Sequence, residues 1–439
     1  MRSVDVLTMI LAGGVGQRLS PLTANRCKPA VPFGGNFRLI DFTLMNCVLS
    51  GFRQIHLITQ YHAQSLNRHR VERWNFLSSE LGESIHLLPP KLEGSGGMYS
   101  GTANAIYRNI DLLNSACPDV VLVLSGDHVY RADYSRFVDL HVERDADVTV
   151  LTGEIDQKEA SSFGVVDLSS RGRITRFVEK PADPSPYAID GSCTINLGVY
   201  AFDAALLSEA LMADAAREDS SHDFGKDVLP WLVDRSYVSS CQLEVVTPDP
   251  KPYWRDVGSI DSYFRASMDL LKRPSSFELC DPRWVTTSRF HEWVPSRQIA
   301  RATVNGCAVT AVNLIGHGVQ IDNAQIVDSV LSNRSQVGSG AELQECVLFP
   351  GARVGKGARL RRVIVEEGVC VPDHTCIGFD GAAPADTVVS PEGVVVLADT
   401  TWEQSRTQTA PPSHEAIAHD FDAVGDGIVV ARAEGVTVG

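Results

Sequence analysis

Residues 9–30 read MILAGGVGQRLSPLTANRCKPA, and the fold turns on how this stretch is taken. An apolar run ends in Gly13, Gly14, Val15, Gly16, Gln17 and Arg18. That is a strand emptying into a loop whose backbone N–H groups can approach a phosphate, because no Cβ intervenes at the glycines. Arg18 adds a planar charged fork suited to phosphate oxygens. The loop is not a P-loop, since GxxxxGK[ST] is missing. It is not a dinucleotide fingerprint either, since Leu19 stands where the third glycine belongs. Glycines alone would also serve a tight turn. The residues that follow narrow the choice: Pro21-Leu22-Thr23 comes at once, then Arg26-Cys27-Lys28-Pro29-Ala30.

Outward from this loop, short apolar runs at 4–12, 55–60, 120–127, 147–153, 197–202 and 243–248 alternate with longer stretches such as 39–50 and 102–113. The rhythm is that of βαβ units and predicts a mostly parallel, Rossmann-like α/β sheet. Such sheets gather their chemistry at the carboxyl ends of the strands. Asp127, in VVLVLSGDHVY (120–130), stands just past one such end. A second carboxylate, Asp256, lies in YWRDVGS (253–259), 129 residues further on. Mg²⁺ prefers one or two carboxylates together with substrate phosphate oxygens, so the two could share an ion. A helix cap for Asp127 and a surface position for Asp256 are the plainer alternatives. Glu179 and Lys180 leave an apolar strand together in ITRFVEKP (174–181). A carboxylate can accept from sugar hydroxyls and a lysine can face a sugar phosphate, although an exposed pair at a strand end looks the same.

Beyond residue 272 the pattern breaks. Pro274, Pro282 and Pro295 punctuate an aperiodic stretch that reads as a linker over 273–301. A new rhythm then begins. Ile315, Ile321 and Val327 are six apart, as are Val337 and Leu343, Val354 and Leu360, and Val365, Val371 and Ile377. Ile321, Val337, Val354 and Val371 recur every 16 or 17 residues; Leu331, Leu348 and Val365 recur every 17. Gly316, Gly338, Gly355 and Gly378 directly follow apolar positions. Hexads of this kind mark a β-helix of three-sided coils, each burying its apolar residue only when stacked on a neighbour. The reading is therefore an α/β domain over 1–272, the linker, a β-helix over 302–399, and a tail over 400–439 with one candidate strand at 427–431.

Bulk properties fit a soluble globular protein. Length suggests two or three domains, and 44 % hydrophobic with 21 % charged residues is ordinary for a globular chain. The formal net charge of -15 argues against a nucleic-acid partner, and it requires an anionic substrate to be met by a local nest of donors. Ten cysteines contain no CxxC pair, which excludes a zinc ribbon or thioredoxin-type site and points to reduced, core-filling thiols. The apolar run 4–12 is too short to span a membrane, so no membrane partner and a cytoplasmic location are expected.

Taken in order, the glycine loop with RCKPA, IDFTLMNCVLSG (40–51), LITQYHAQSL (57–66), YSGTANAI (99–106), SGDHVY (125–130), SSFGVV (161–166), FVEKP (177–181), SSHDFGKD (220–227) and YWRDVG (253–258) resemble the bacterial glucose-1-phosphate adenylyltransferases (ADP-glucose pyrophosphorylases) of the sugar nucleotidyltransferase superfamily. The resemblance implies that the hexads form a left-handed β-helix. It also implies that the protein is a homotetramer converting ATP and α-D-glucose 1-phosphate to ADP-glucose and diphosphate for glycogen synthesis, with Mg²⁺. By the same resemblance Arg18 and Lys28 contact the triphosphate and the departing pyrophosphate, and Asp127 joins them in catalysis. Leu11, Ala12, Gly13, Gly14, Gly16, Tyr99, Gly101, Thr102 and Ala103 hold the nucleotide. Gly164, Glu179, Lys180, Asn196, Gly198, Asp223 and Lys226 hold the sugar phosphate. Asp127 and Asp256 bind the metal.

Three departures from the family pattern stand out. Pro89-Pro90-Lys91-Leu92-Glu93 replaces a Gln-Gln loop near the adenine, which leaves a sister enzyme using UTP, dTTP or GTP as the alternative. Asn36 follows FGG where a lysine that serves phosphorylated activators is common, and Asp399 falls where an arginine is common. The reversed charge at 399 predicts weak activation by sugar bisphosphates. A non-catalytic regulatory subunit would lose the metal carboxylates or the loop arginine, and this chain keeps them. A hexapeptide acyltransferase would need a catalytic histidine such as His317 or His374 and a chain built mostly of hexads.

Overall fold

Strand β1 (Val6–Ala12) lies between β2 (Gln54–Thr59) and β4 (Val120–Ser125), with β3 (Ser84–Leu88) outside β2; all these pairings are parallel. Alternate residues feed two separate apolar layers. Ile10, Ala12, Leu122 and Leu124 join one, and Leu7, Met9, Val121 and Val123 join the other. Burial on both faces is why these strands read as unbroken apolar runs. The computed structural model describes residues 4–91, 97–272, 277–279, 281, 294–304, 307–379 and 387–398, with only the backbone of 303, 304 and 307. Leu92, Glu93, Pro274, Pro282, Asp399 and the tail 400–439 with its candidate strand lie outside the described residues.

Beyond β4 the sheet becomes mixed. The strands that follow along the chain are β5 (His128–Tyr130), β6 (Val148–Asp156), β7 (Gly164–Leu168), β8 (Ile174–Glu179), β9 (Ser192–Asp203), β10 (Val238–Gln242) and β11 (Trp254–Asp256). The long β9 runs antiparallel to both β4 and β6, and β10 runs parallel to β6. Strands β5 and β11 leave the main sheet and pair with each other.

Two expected elements differ. The stretch 243–248 is not a strand: Leu243–Val246 is a helical turn, with Leu243 and Val246 buried three apart. The strand is β10, which reads VSSCQ. Its serines are buried, and Ser240 Oγ meets Thr152 Oγ1 at 3.0 Å, so apolar alternation does not reveal it. The stretch 102–113 is not one helix but two, Thr102–Tyr107 and Ile110–Ala116. Asn109 Nδ2 donates to the Ala105 carbonyl at 2.8 Å, occupying the acceptor a continuing helix would use.

Helix α1 (Leu39–Leu49) is buried almost all round and carries Asp41 at 0 % exposure. The Asp41 carboxylate accepts from His69 Nε2 (2.6 Å), Trp74 Nε1 (2.8 Å) and the Arg38 N–H (2.7 Å). Burial by itself would raise this carboxyl, but His69 and the donors outweigh it and hold the group below its ordinary range. A depressed carboxylate stabilises the fold above its unfolded pKa and loses that contribution as pH falls. Asp41→Asn is therefore expected to destabilise the protein by about 3 kcal/mol at neutral pH. In urea denaturation the gap to the parent should close as pH drops below about 4.

The carboxy-terminal domain opens with a hairpin, β12 (Ser296–Val304) against β13 (Cys307–Ile315). Residues 296–301, read as linker from sequence, thus belong to the β-helix sheet. The hexads then wind a left-handed parallel β-helix. Ile321, Val337, Val354 and Val371 stack on one side, and Leu331, Leu348 and Val365 on another. On the third side Ile326, not Val327, stacks with Leu343, Leu360 and Ile377, while Val327 pairs with Gln344. The first coil drops one residue at the corner between Ile321 and Ile326, which is why its repeat is 16 rather than 17. The glycines after the apolar positions sit where coils nearly touch. A Cβ at Gly338 would lie 2.9 Å from Lys356 N, and one at Gly316 would lie 2.7 Å from Asn333 N.

One apolar cluster runs from the sheet into the β-helix through Phe33, Tyr263 and Phe349, with the Tyr263 and Phe349 rings 6.0 Å apart.

Candidate active site

A cavity of about 490 Å³ opens at the carboxyl ends of β1, β2 and β4. Its floor is the glycine loop: Leu11, Ala12, Gly13 and Gly14 line it. Gly16 does not, but it takes φ +67°, and a Cβ there would press on Thr23 Cγ2 (3.0 Å) and Lys28 Cβ (3.1 Å). The bare glycine is what lets Lys28 tuck beneath the loop, and Thr23 Oγ1 fastens the turn by donating to the Gly16 carbonyl at 3.0 Å.

Lys28 is 8 % exposed. Its ammonium lies 2.8 Å from Asp127 Oδ2 and 2.9 Å from Asp256 Oδ1. The two aspartates meet because β11 pairs with β5, which sets Asp256 opposite His128. Ser125 Oγ donates to Asp127 Oδ1, and His128 Nε2 lies 3.5 Å from the same oxygen. Burial would push Asp127 up, yet Lys28 and then His128 hold it well below the usual carboxylate range. Burial would likewise lower Lys28, but the two carboxylates prevail and raise it. The site therefore carries an ammonium held between the side chains of Asp127 and Asp256.

Among the described residues, Asp127, His128 and Asp256 are the one group of three whose ligand atoms lie within 4.8 Å of one another. Two carboxylates suit a hard divalent cation, and the donor set fits Mg²⁺ better than a soft metal. Arg18 is placed differently from Lys28. It is exposed, stands outside the main cavity, and shares with Asp256 the surroundings of Gly258: a Cβ at Gly258 would lie 3.2 Å from Arg18 Nη2 and 2.8 Å from Asp256 Oδ2.

Opposite the loop, the SSHDFGKD segment locks onto the start of the helix Thr102–Tyr107. Thr102 Oγ1 donates to Asp223 Oδ2 at 3.0 Å and accepts from the Phe224 N–H at 2.9 Å. The Ala103 N–H donates to the His222 carbonyl at 2.9 Å. Asp223 Oδ1 also accepts from the Gly225 and Lys226 N–H groups, so this carboxylate lines the cavity as a cap that is already engaged. Gly101 is dictated by close approach, since a Cβ there would overlap the His222 carbonyl oxygen. Gly101→Ala is expected to pull these segments apart and lower kcat/KM at least about tenfold, with a lower Tm in a thermal melt.

Further round the rim, β9 bulges between Asn196 and Tyr200. Gly198 takes φ +72°, its N–H donating to Asn196 Oδ1 (2.9 Å), while Asn196 Nδ2 donates to Tyr200 Oη (2.8 Å). Glu179 sits beside Gly164 and Gly225; a Cβ on either would crowd its Oε2, at 2.8 and 2.5 Å. Of the residues expected from the family pattern, Glu179, Asn196, Gly198, Tyr99, Gly101, Thr102 and Asp223 line the cavity. Ala103 is buried in an apolar cluster, and Gly164 stands behind Glu179. Lys180 and Lys226 are exposed and off the lining; Lys180 turns back onto Glu179 at 3.0 Å.

Sequence reasoning assigned no role to His128, Ser125, Gln60 or Tyr200. Gln60 bridges the rim, accepting from the Tyr99 N–H (3.2 Å) and donating to the Tyr99 carbonyl (3.4 Å). His128, Ser125 and Gln60 fall inside motifs already quoted and Tyr200 in the apolar run 197–202, but nothing local to them announces a contact across the sheet.

Comparison with known proteins gives a consistent result. The profile described as "Nucleotidyl transferase" matches residues 7–273, and "GlmU-like, C-terminal hexapeptide" matches 295–397. Glucose-1-phosphate adenylyltransferase 2 of Vibrio parahaemolyticus is 42 % identical over 397 residues, covering 90 % of this chain and 98 % of its own. Glucose-1-phosphate adenylyltransferase of Paraburkholderia phytofirmans is 40 % identical, covering 89 % and 94 %. That of Methylococcus capsulatus is 37 % identical, covering 90 % and 93 %.

Proposed function

Since the chain belongs to the glucose-1-phosphate adenylyltransferases of the nucleotidyl transferase family, we propose that it converts ATP and α-D-glucose 1-phosphate to ADP-glucose and diphosphate, with Mg²⁺ held by Asp127 and Asp256. The observation that carries this reading is the convergence of Lys28, Asp127 and Asp256 beside the glycine loop.

The sugar phosphate is already an anionic nucleophile. One of its oxygens attacks the α-phosphorus of ATP, and the bond to the β-phosphate breaks in line as diphosphate departs. Catalysis is then a matter of alignment and charge neutralisation. The amides of Gly13 and Gly14 face the triphosphate, and Lys28 brings an obligate positive charge to it. Arg18 approaches from outside the main cavity, towards the leaving group. Asp127, held ionised by Lys28, acts as a ligand and charge partner, and no general base is needed because the sugar phosphate is already ionised. Mg²⁺ bound there would neutralise phosphate charge and polarise the α-phosphoryl oxygens. The opposite rim, with Glu179, Asn196 and the bulge at Gly198, is assigned to the glucosyl phosphate.

The test is pyrophosphate release from glucose 1-phosphate with ATP, UTP, dTTP and GTP in turn, with and without Mg²⁺. ATP is expected to give the highest kcat/KM, and chelation to abolish turnover. Faster turnover with UTP or dTTP would instead make this a sister enzyme, the outcome the replaced loop at Pro89-Pro90-Lys91 leaves room for.

Regulation is expected to be unusual. Asn36 is buried against the β-helix, beside Gly316, and its amide atoms have no hydrogen-bond partner among the described residues. A neutral amide there offers an anionic activator no charge. Fructose 1,6-bisphosphate is expected to change the rate less than about twofold, and a large acceleration would overturn this expectation. A cytoplasmic homotetramer is the expectation that the family supports, and sedimentation reads the oligomeric state. No helix among the described residues is long and apolar enough to cross a membrane.

A further inference from the structure

Two residues before Lys28 stands Arg26, whose guanidinium is held not by the cavity but by the β-helix. Arg26 Nη1 donates to Glu366 Oε1 at 2.7 Å and to the Leu22 carbonyl at 3.2 Å; Nη2 donates to Glu367 Oε2 at 3.0 Å. The guanidinium carbon lies 5.9 Å from the centroid of Phe349, another β-helix residue. The inner pair is shielded, with the Arg26 and Glu366 side chains each 11 % exposed, whereas Glu367 is 43 % exposed. Solvent therefore screens the outer bond far more than the inner one. Glu366 is itself fixed by its N–H, which donates to the Leu397 carbonyl of the closing strand Val395–Leu397.

The chain between Arg26 and Lys28 has little freedom. Cys27 is buried, and its N–H donates to Ser65 Oγ at 3.4 Å. Lys28 opens a short 3-10 turn, Lys28–Ala30, that contains Pro29. The turn closes with Ala30 N–H on the Cys27 carbonyl and Val31 N–H on the Lys28 carbonyl, both at 3.0 Å. One rigid turn is thus gripped by the β-helix at Arg26 and by the two aspartates at Lys28. A displacement at the first grip passes to the second through a single intervening residue.

We propose that Arg26, Glu366 and Glu367 form a positioning clamp through which the β-helix sets the place of Lys28 in the nucleotide pocket. The proposal rests on the role given to Lys28 above. It assigns the carboxy-terminal domain a direct part in nucleotide binding, although none of its described residues lines the cavity. Arg26 and Glu366 act through Lys28 and touch no substrate. Glu366 is the member to probe first, because Glu366→Gln keeps the shape of the side chain and removes only the charge that holds Arg26.

The experiment compares the parent full-length chain with Glu366→Gln, Arg26→Met and the double variant, using pyrophosphate release with ATP or glucose 1-phosphate varied in turn. The expected result is a KM for ATP raised about tenfold in each single variant, with the KM for glucose 1-phosphate within twofold of the parent. The double variant should be no worse than the worse single one, since both remove the same clamp. Amide exchange at Ala30 and Val31 is measured on the same proteins without substrate, and it should quicken in Glu366→Gln. Additive losses would overturn the clamp. So would an unchanged KM for ATP with unchanged exchange. A lower Tm with both readouts unmoved would mark the pair as structural only and overturn it too. If the parent turns over no substrate, the proposed function fails by itself, and amide exchange still decides the clamp.

Discussion

Asp127→Asn is expected to lower kcat with ATP and glucose 1-phosphate at least about a thousandfold. The carboxylate meets three groups of the site: Lys28 at 2.8 Å, Ser125, and His128 at 3.5 Å. An amide of the same size still accepts from Ser125 but has no charge to offer a divalent cation. The fold should survive, because Lys28 keeps Asp256 at 2.9 Å and the surrounding strands are held by their own ladders. The assay is pyrophosphate release across a range of Mg²⁺ concentrations, with circular dichroism to confirm folding. Raising Mg²⁺ should not restore the rate. Turnover within tenfold of the parent would remove Asp127 from the chemistry.

The second large effect is expected from Lys28→Met, and it should split two quantities that Asp127→Asn moves together. The ammonium occupies the oxygens of Asp127 and Asp256 that a metal ion would also use. Without it, two carboxylates face each other, Asp127 keeps Ser125 and His128, and burial, the largest influence on Asp127, is no longer opposed by its main partner. Divalent-cation affinity in the absence of nucleotide should therefore rise, while kcat/KM falls about a hundredfold or more because the triphosphate loses its cation. Calorimetric titration with Mg²⁺ reads the first quantity and steady-state kinetics the second. If both fall, the lysine does not compete for the metal oxygens and instead shapes the pocket.

Whatever rests on local spacing was legible in the chain. The glycine loop after an apolar run, the Lys-Pro turn and the Asp after β4 are short patterns whose geometry follows from the residues themselves. The hexads are legible for the same reason, because each coil repeats the one before it. Where a coil loses a residue the reading slipped, and Val327 was taken for the stacked position that Ile326 occupies. Strand β10 escaped notice because its buried residues are serines satisfied by neighbours on other strands.

The chain by itself determined the α/β domain and the β-helix and offered the two aspartates as candidates, since strand periods, glycine loops and coil repeats depend only on near neighbours. Only the tertiary structure decided that those aspartates meet. Their encounter depends on the β5–β11 ladder, which brings together two aspartates 129 residues apart in the sequence. The same long-range packing put Lys28 between them, left Arg18 outside the main cavity, engaged Asp223 as a cap and gave Arg26 to the β-helix. A side chain's partner across a fold is set by how distant segments pack, and no local pattern of residues carries that information.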